Sequence, residues 1–545
     1  MKIFIQSLLL LIMLNACNSE TKQSNKEEWW KETVFYEIYM PSFKDSDGDG
    51  YSDFKGMTGK LDYIQSLGVK GIWLTPFLKS PMVDNGYDVS SYEEINETYG
   101  TLEDFKIFIT EAHKRDIKVI MDMVVNHTST EHMWFQESLK SKDNPYRDYY
   151  IWKDEPNNWE SFFGGKAWEF DASTQQYYYH QFDVKMADLN WQNPKVVEEI
   201  KGVFRYWLEL GVDGFRLDVI NFLTTEGITL DNPIDRDEYG NQKHLHDIDQ
   251  KGVKQAMKTI KQTVNEYDNR FIVGEIGSKK IEVLKQYQGS ELLDVVFNFN
   301  FGSISKFSAQ KLFDELQSME NNMSNYPTLF FGSHDMPRLH SRLAKDNPKR
   351  AYALAALMLT AKGVPFIYFG EEIGMKNHIA NSFNEIKDVQ GVTHYNLAIE
   401  DGKTLEEALK RGNEYNRDKS RSPMQWNSEM LSGFSTTKSW IDINPDYTTL
   451  NVTEQEKDPN SMLSKYKELI ALRNAEPILQ YGSYEKLEIK DDCIHFIRDY
   501  QGSKINIIIN FGKPYTFDLP DKVEVLLGSP ILHTDDFIIF KESGK

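Results

Sequence analysis

Gly214-Phe215-Arg216-Leu217-Asp218-Val219 reads as one short strand that carries two charges to the same end. Side chains alternate faces along a strand, so Arg216 and Asp218 project on one side. Three other segments end in the same way. Val273-Gly274-Glu275-Ile276 closes on an acid, Gly332-Ser333-His334-Asp335 follows an apolar run, and Asp122-Met123-Val124-Val125-Asn126-His127 ends on a histidine. A single strand-end acid is an ordinary helix cap. Four such ends in order along one chain are hard to assign to capping.

Working outward, short β-branched or aromatic runs alternate with stretches of helical period. Strands are predicted at 34–39, 71–75, 118–125, 214–219, 271–275, 292–297, 328–332 and 365–369. The intervening helices show apolar stripes at Phe105, Phe108, Ile109 and Ala112, and at Val196, Ile200, Val203 and Trp207. Asn193-Pro194 supplies an N-cap and an N1 proline for the second of these. Eight strands with helices between them predict an α/β fold, a TIM (β/α)8 barrel, whose chemistry belongs at the C-terminal strand ends. The barrel is expected over 29–127 and 190–476, with a small irregular domain inserted at 128–189. A second polar insertion spans about 377–421, and alternating short strands beyond it predict a C-terminal antiparallel β-sandwich over 477–545.

The 545 residues include 13% aromatic side chains and carry a net charge of −21. That surplus of acid repels phosphate, so a nucleic-acid partner is not expected, whereas aromatic faces suit neutral sugars. Lys2 precedes an apolar run over 3–14, too short to span a bilayer and suited to a secretory leader. It ends in Leu14-Asn15-Ala16-Cys17, which resembles a bacterial lipobox. Residues 1–17 are therefore expected to be a lipoprotein signal peptide ending in a lipidated Cys17, with 18–28 as a polar tether. A cell-envelope location through a membrane anchor follows. The second of the two cysteines, Cys493, sits in an alternating run and is expected to be a packed strand residue.

The four strand-end motifs, in their order, resemble glycoside hydrolase family 13, the α-amylase family, over nearly the whole chain after the tether. The resemblance implies Asp218 as nucleophile, Glu275 as general acid/base and Asp335 as transition-state stabiliser, with His127, Arg216 and His334 around the attacked sugar. Arg421-Ser422-Pro423-Met424-Gln425-Trp426 and Gly370-Glu371-Glu372-Ile373-Gly374-Met375 are similar to motifs of its oligo-1,6-glucosidase and α-glucosidase group. In that group, residues matching Asp84 and Arg421 grip the non-reducing-end glucose, with Tyr87 stacked beneath the ring, and a pocket of this kind forces exo action. Val219 matches the residue that accompanies α-1,6 preference. Ile276-Gly277, Gly332-Ser333 and Met186-Ala187 depart from the group's pattern and border the leaving-group side.

Retaining hydrolysis needs an attacking carboxylate and a proton-donating carboxylic acid about 5 Å apart, in different environments. Arg216 is expected to lower the pKa of Asp218, and a partly desolvated, acid-rich cleft to keep Glu275 protonated. Asp45-Ser46-Asp47-Gly48-Asp49-Gly50-Tyr51-Ser52-Asp53 offers oxygen ligands at alternate places, though Gly56 replaces the bidentate Glu of an EF-hand. The resemblance makes it a structural Ca²⁺ loop, with Asp45, Asp47, Asp49, the Tyr51 carbonyl and Asp53 as ligands. The expected substrate is an α-gluco-oligosaccharide with α-1,6 linkages favoured. The competing expectations are α-1,4 hydrolysis, transglycosylation or isomerisation of trehalose, maltose or sucrose, and a non-catalytic glycan-binding lipoprotein, which would not require the three acids.

Overall fold

A computed structural model describes residues 28–237 and 240–542. All eight predicted strands form one parallel sheet: β1 (Phe35–Ile38), β2 (Gly71–Leu74), β3 (Lys118–Met123), β4 (Gly214–Leu217), β5 (Phe271–Glu275), β6 (Val295–Phe297), β7 (Thr328–Leu329) and β8 (Val364–Tyr368). Their hydrogen-bonded order is β6-β5-β4-β3-β2-β1-β8-β7. Between β6 and β7 a side chain takes over from the ladder. The Asn298 N–H donates to Thr328 Oγ1 at 2.9 Å, and that hydroxyl donates to the Val296 carbonyl at 3.3 Å. The ring is thus a near-closed barrel. Gly214 opens β4 because a Cβ there would lie 2.2 Å from the Phe271 carbonyl of β5.

Inside the ring, Phe35, Ile120, Phe271, Val273 and Phe366 pack in one cluster, with Trp30 stacked on Phe271 from the N-terminal end. Phe35 stacks on Phe366 at 4.7 Å and on Phe271 at 5.4 Å. This layer determines what the mouth contains. The two-residue strand period keeps the inward face inward, so Phe35 leads to Glu37, Ile120 to Asp122, Val273 to Glu275 and Gly214 to Arg216.

The predicted helical stripes are buried on α1 (Leu102–Lys114) and α2 (Pro194–Glu209). Asn193 caps α2 by accepting from the Lys195 N–H at 3.0 Å, and Pro194 is its first residue. Between β3 and α2 the strands Trp152–Lys153, Trp168–Asp171 and Gln176–Tyr179 form an antiparallel sheet, and His127–Ser129 pairs with Met186–Asp188. After β8 the polar stretch holds α3 (Val389–Glu400) and α4 (Leu405–Tyr415).

The C-terminal sheet consists of β9 (Ser483–Lys490), β10 (Cys493–Tyr500), β11 (Ser503–Asn510), β12 (Val523–Gly528) and β13 (Asp536–Glu542) in the order β9-β10-β11-β13-β12. A two-stranded ribbon, Tyr515–Thr516 with Ile531–Leu532, adds the smaller layer of the sandwich. Cys493 opens β10 half-buried, its sulfur 3.2 Å from the Tyr515 hydroxyl. Of two buried arginines near this junction, Arg498 of β10 joins the sheet to the barrel and Arg473 ties the helix Met462–Ala475 to the segment before β8. Arg473 donates to the carbonyls of Leu359 and Gly363, and Arg498 to those of Thr360 and Gly482. Among the described residues no helix is long and apolar enough to cross a membrane. Cys17 and the leader lie outside the described residues.

Candidate active site

Arg216, in register with Asp122 of the neighbouring strand, is fully buried at the barrel mouth. Its Nη1 donates to both oxygens of Asp122 at 2.8 and 3.0 Å and to Asp218 Oδ1 at 2.7 Å, while Nη2 pairs with Glu275. One guanidinium therefore holds three carboxyls contributed by three consecutive strands. Burial raises Asp218 and Glu275 to about 7 each. Arg216 opposes that shift at both without overcoming it. The expectation that Arg216 lowers the pKa of Asp218 is corrected: the attraction is present, but loss of water outweighs it. With both carboxyls raised to about 7, the barrel mouth retains a proton near neutral pH.

Across the site, Glu37 Oε1 pairs with His334 Nδ1 at 2.6 Å. His334 Nε2 meets the Tyr87 hydroxyl at 2.6 Å and Asp335 Oδ2 at 3.1 Å, and the Tyr87 hydroxyl donates to Asp122 at 3.1 Å. Burial alone would lower His334, but Asp335 and Glu37 outweigh it and raise the ring to about 9, so it is an imidazolium at neutral pH. The Asp335 carboxyl is held well below its usual range, because His334, Arg417 and Arg421 overcome the cost of burial. The Tyr87 and His334 rings stack at 5.6 Å and 13°. His127 Nε2 is buried with no protein partner, and desolvation lowers its ring to about 4, leaving it neutral.

Asp84, Tyr87, His127, Asp218, Val219, Glu275, Asp335 and Arg417 line a cavity of about 380 Å³, walled by Phe163, Phe182 and Met186 and roofed by Gln390 of α3 and Tyr415 of α4. Such a volume suits a small ligand. Arg421, expected with Asp84 to grip the non-reducing-end glucose, is not in the lining. Its Nε donates to the His334 carbonyl at 2.9 Å, and its Nη2 lies 3.3 Å from Asp335. Arg417 is the residue that pairs with Asp84, with Asp388, and with Asp335 at 3.3 Å. Three residues separate the two arginines around a short turn, where no periodicity tells which one faces the cavity.

Val219 does line the cavity, but the strand predicted over 214–219 is shorter than expected. The strand ends at Leu217, and Val219 sits in the left-handed region at φ 35°, ψ 44°, turning the chain so that it lies beside Asp218 in the lining. The sequence reading gave no role to Asp122, Glu37, Arg417 or Asp388. Strand parity from the packed layer finds the first two; only contacts find the others.

In the loop after β1, the carboxylates of Asp45, Asp47 and Asp49 come within 4.8 Å of one another. Asp53 points elsewhere: it caps the helix Phe54–Thr58 through the Gly56 N–H at 2.8 Å and accepts from Ser46. Tyr51 stacks its ring on Trp440. An all-oxygen trio of this kind fits a hard cation such as Ca²⁺.

Residues 37–482 match the catalytic domain of α-amylase. The oligo-1,6-glucosidase of Bacillus cereus is 38% identical over 540 residues, 94% of this chain and 96% of that protein. The trehalose-6-phosphate hydrolase of Bacillus subtilis strain 168 is 37% identical, with 93% and 95% covered. The crystal structure of the trehalulose synthase from Pseudomonas mesoacidophila MX-45 aligns with a TM-score of 0.88 at 34% identity, covering 94% of this chain and 99% of that one. With these matches and a barrel mouth lined by Asp218, Glu275 and Asp335, the chain belongs to the α-amylase family, glycoside hydrolase family 13, as a glucosidase.

Proposed function

We propose that the protein is an exo-acting, retaining α-glucosidase that removes non-reducing-end glucose from gluco-oligosaccharides, with α-1,6 linkages favoured. The observation that carries this reading is the cavity itself: Asp84 and Arg417 pair in its lining, together with three carboxyls. A chain end fits such a pocket; a chain interior does not.

In this reading Glu275 protonates the glycosidic oxygen as Asp218 attacks the anomeric carbon, and the leaving sugar departs with that proton. Water then attacks the glucosyl–Asp218 ester, giving its proton to Glu275 and releasing glucose with its configuration retained. The ring carries positive charge in both transition states. Asp335, kept ionised by His334, Arg417 and Arg421, binds that charge more tightly than it binds the ground state. The unpartnered Nε2 of His127 is available to a sugar hydroxyl, and Tyr87 lies beneath the ring.

Val219 supports the linkage preference. A β-branched residue at positive φ costs about 1–3 kcal/mol. Backbone preference therefore does not account for it, whereas the side chain it presents beside Asp218 does. A second reading, capture of the glucosyl intermediate by another sugar, draws on the likeness to a trehalulose synthase. Time courses on isomaltotriose and maltotriose, with every product resolved, separate the readings. Faster glucose release from isomaltotriose is expected, maltotriose preference overturns the linkage assignment, and rearranged products favour transfer.

Asp45, Asp47 and Asp49 would hold the proposed Ca²⁺ and stiffen the loop without entering the reaction. Chelation is expected to lower the thermal midpoint by several degrees while kcat at 25 °C stays unchanged. Lipidation at Cys17 is expected to move the full-length protein into the detergent phase, and Cys17→Ser to abolish that partition.

A further inference from the structure

His378, Glu385 and Asp442 converge outside the catalytic cavity, each offering a ligand atom within 4.8 Å of the other two. His378 and Glu385 come from the stretch between β8 and α3, and Asp442 from a later loop. The backbone around them is tied in place: the Asn444 side chain donates to the Lys376 carbonyl at 2.8 Å, two residues from Asp442 and from His378 respectively. The His378 N–H donates to the Lys419 carbonyl at 2.9 Å. Glu385 ends the turn Phe383–Glu385, and its carboxylate is steadied by the Asn381 N–H at 2.7 Å and the Ser382 hydroxyl at 3.0 Å.

Among the described residues, none of the three side chains hydrogen-bonds another, and His378 Nε2 is buried with no hydrogen-bond partner. A buried polar atom normally has one. An imidazole nitrogen beside two carboxylates is the donor set of a borderline divalent cation, unlike the all-oxygen trio after β1. We propose that His378, Glu385 and Asp442 form a second metal site, taking a transition cation of the zinc class.

The position gives the site a consequence. Three residues after Glu385, Asp388 holds Arg417, the cavity arginine paired with Asp84. A cation bound by all three side chains would fasten the segment leading into α3 to the loop that carries Asp442, and so steady the chain that positions Arg417.

The test is calorimetric titration of the tag-free full chain with Zn²⁺ in excess Ca²⁺, alongside thermal melts. One Zn²⁺ per chain is expected. Affinity should fall about tenfold or more in His378→Ala and in Asp442→Asn, and stay unchanged in Asp47→Asn. Zn²⁺ should raise the melting midpoint of the wild type and not that of the first two variants. Asp442 is exposed, so its substitution does not threaten folding. Absence of Zn²⁺ binding, or binding that survives both substitutions, overturns the proposal.

Discussion

Two arginine-centred clusters face each other across the cavity, and they were built differently. Arg216 gathers Asp122, Asp218 and Glu275 from three adjacent strands of the barrel. Arg417 gathers Asp84, Asp335 and Asp388 from loops that follow β2, β7 and β8. Both are buried, yet the carboxyls around Arg216 rise to about 6 or 7, whereas around Arg417 only Asp84 is raised by burial, and Asp335 and Asp388 fall below their usual range. The difference lies in the count of cations. One guanidinium serves three acids in the first cluster; Arg417, Arg421 and His334 serve the second. The cation-poor cluster keeps a proton to give, and the cation-rich one keeps negative charge on Asp335 and Asp388.

The largest expected effect breaks the first cluster. Asp218→Asn should lower kcat on the order of 10⁴-fold or more while the thermal midpoint moves only a few degrees. Activity within tenfold of wild type would remove Asp218 as nucleophile. The second cluster is broken at Arg417. Arg417→Gln leaves Asp84 buried without its ion-pair partner and Asp388 with only the longer contact to Arg421, so the protein should lose about 3–5 kcal/mol of stability in urea titration. KM for isomaltotriose should also rise about 100-fold. Arg421→Gln should change KM far less, and the opposite ranking would restore Arg421 as the residue that grips the sugar.

The pH profile sharpens the contrast in proton content. The productive state has Glu275 protonated and Asp218 ionised, so kcat/KM should fall about tenfold per unit as pH rises beyond about 7. His334, raised to about 9, should leave no inflection near 6.5. A rate still rising between pH 7 and 8 would contradict Glu275 as the acid that gives its proton near pH 7. The smallest effect is expected at Val219. Val219→Thr should shift the ratio of isomaltotriose to maltotriose turnover toward maltotriose by about tenfold or less. An unchanged ratio would show that linkage preference is set elsewhere in the lining.

The strand-built half was legible because parity along a strand is a physical rule. Arg216 and Asp218 were placed together from their two-residue spacing, and Asp122 and Glu37 follow from the same rule applied to Ile120 and Phe35. The loop-built half was not. Arg417 and Arg421 are four residues apart around the short turn Arg417–Ser420, and which guanidinium enters the cavity depends on Asp388, contributed by a helix start thirty residues earlier. The same limit explains Val219, whose β-branched side chain reads as strand although the backbone there turns left-handed.

By itself the sequence determined the eight-stranded barrel, the order of its acids and the oxygen-rich loop after β1, because alternation and turn chemistry are written locally. Only the tertiary structure decided which arginine meets Asp84, that burial outweighs Arg216 at Asp218, and that His378 lies beside Asp442. Each of those depends on how much water is excluded and which distant loops meet, and neither quantity exists until the chain has closed on itself.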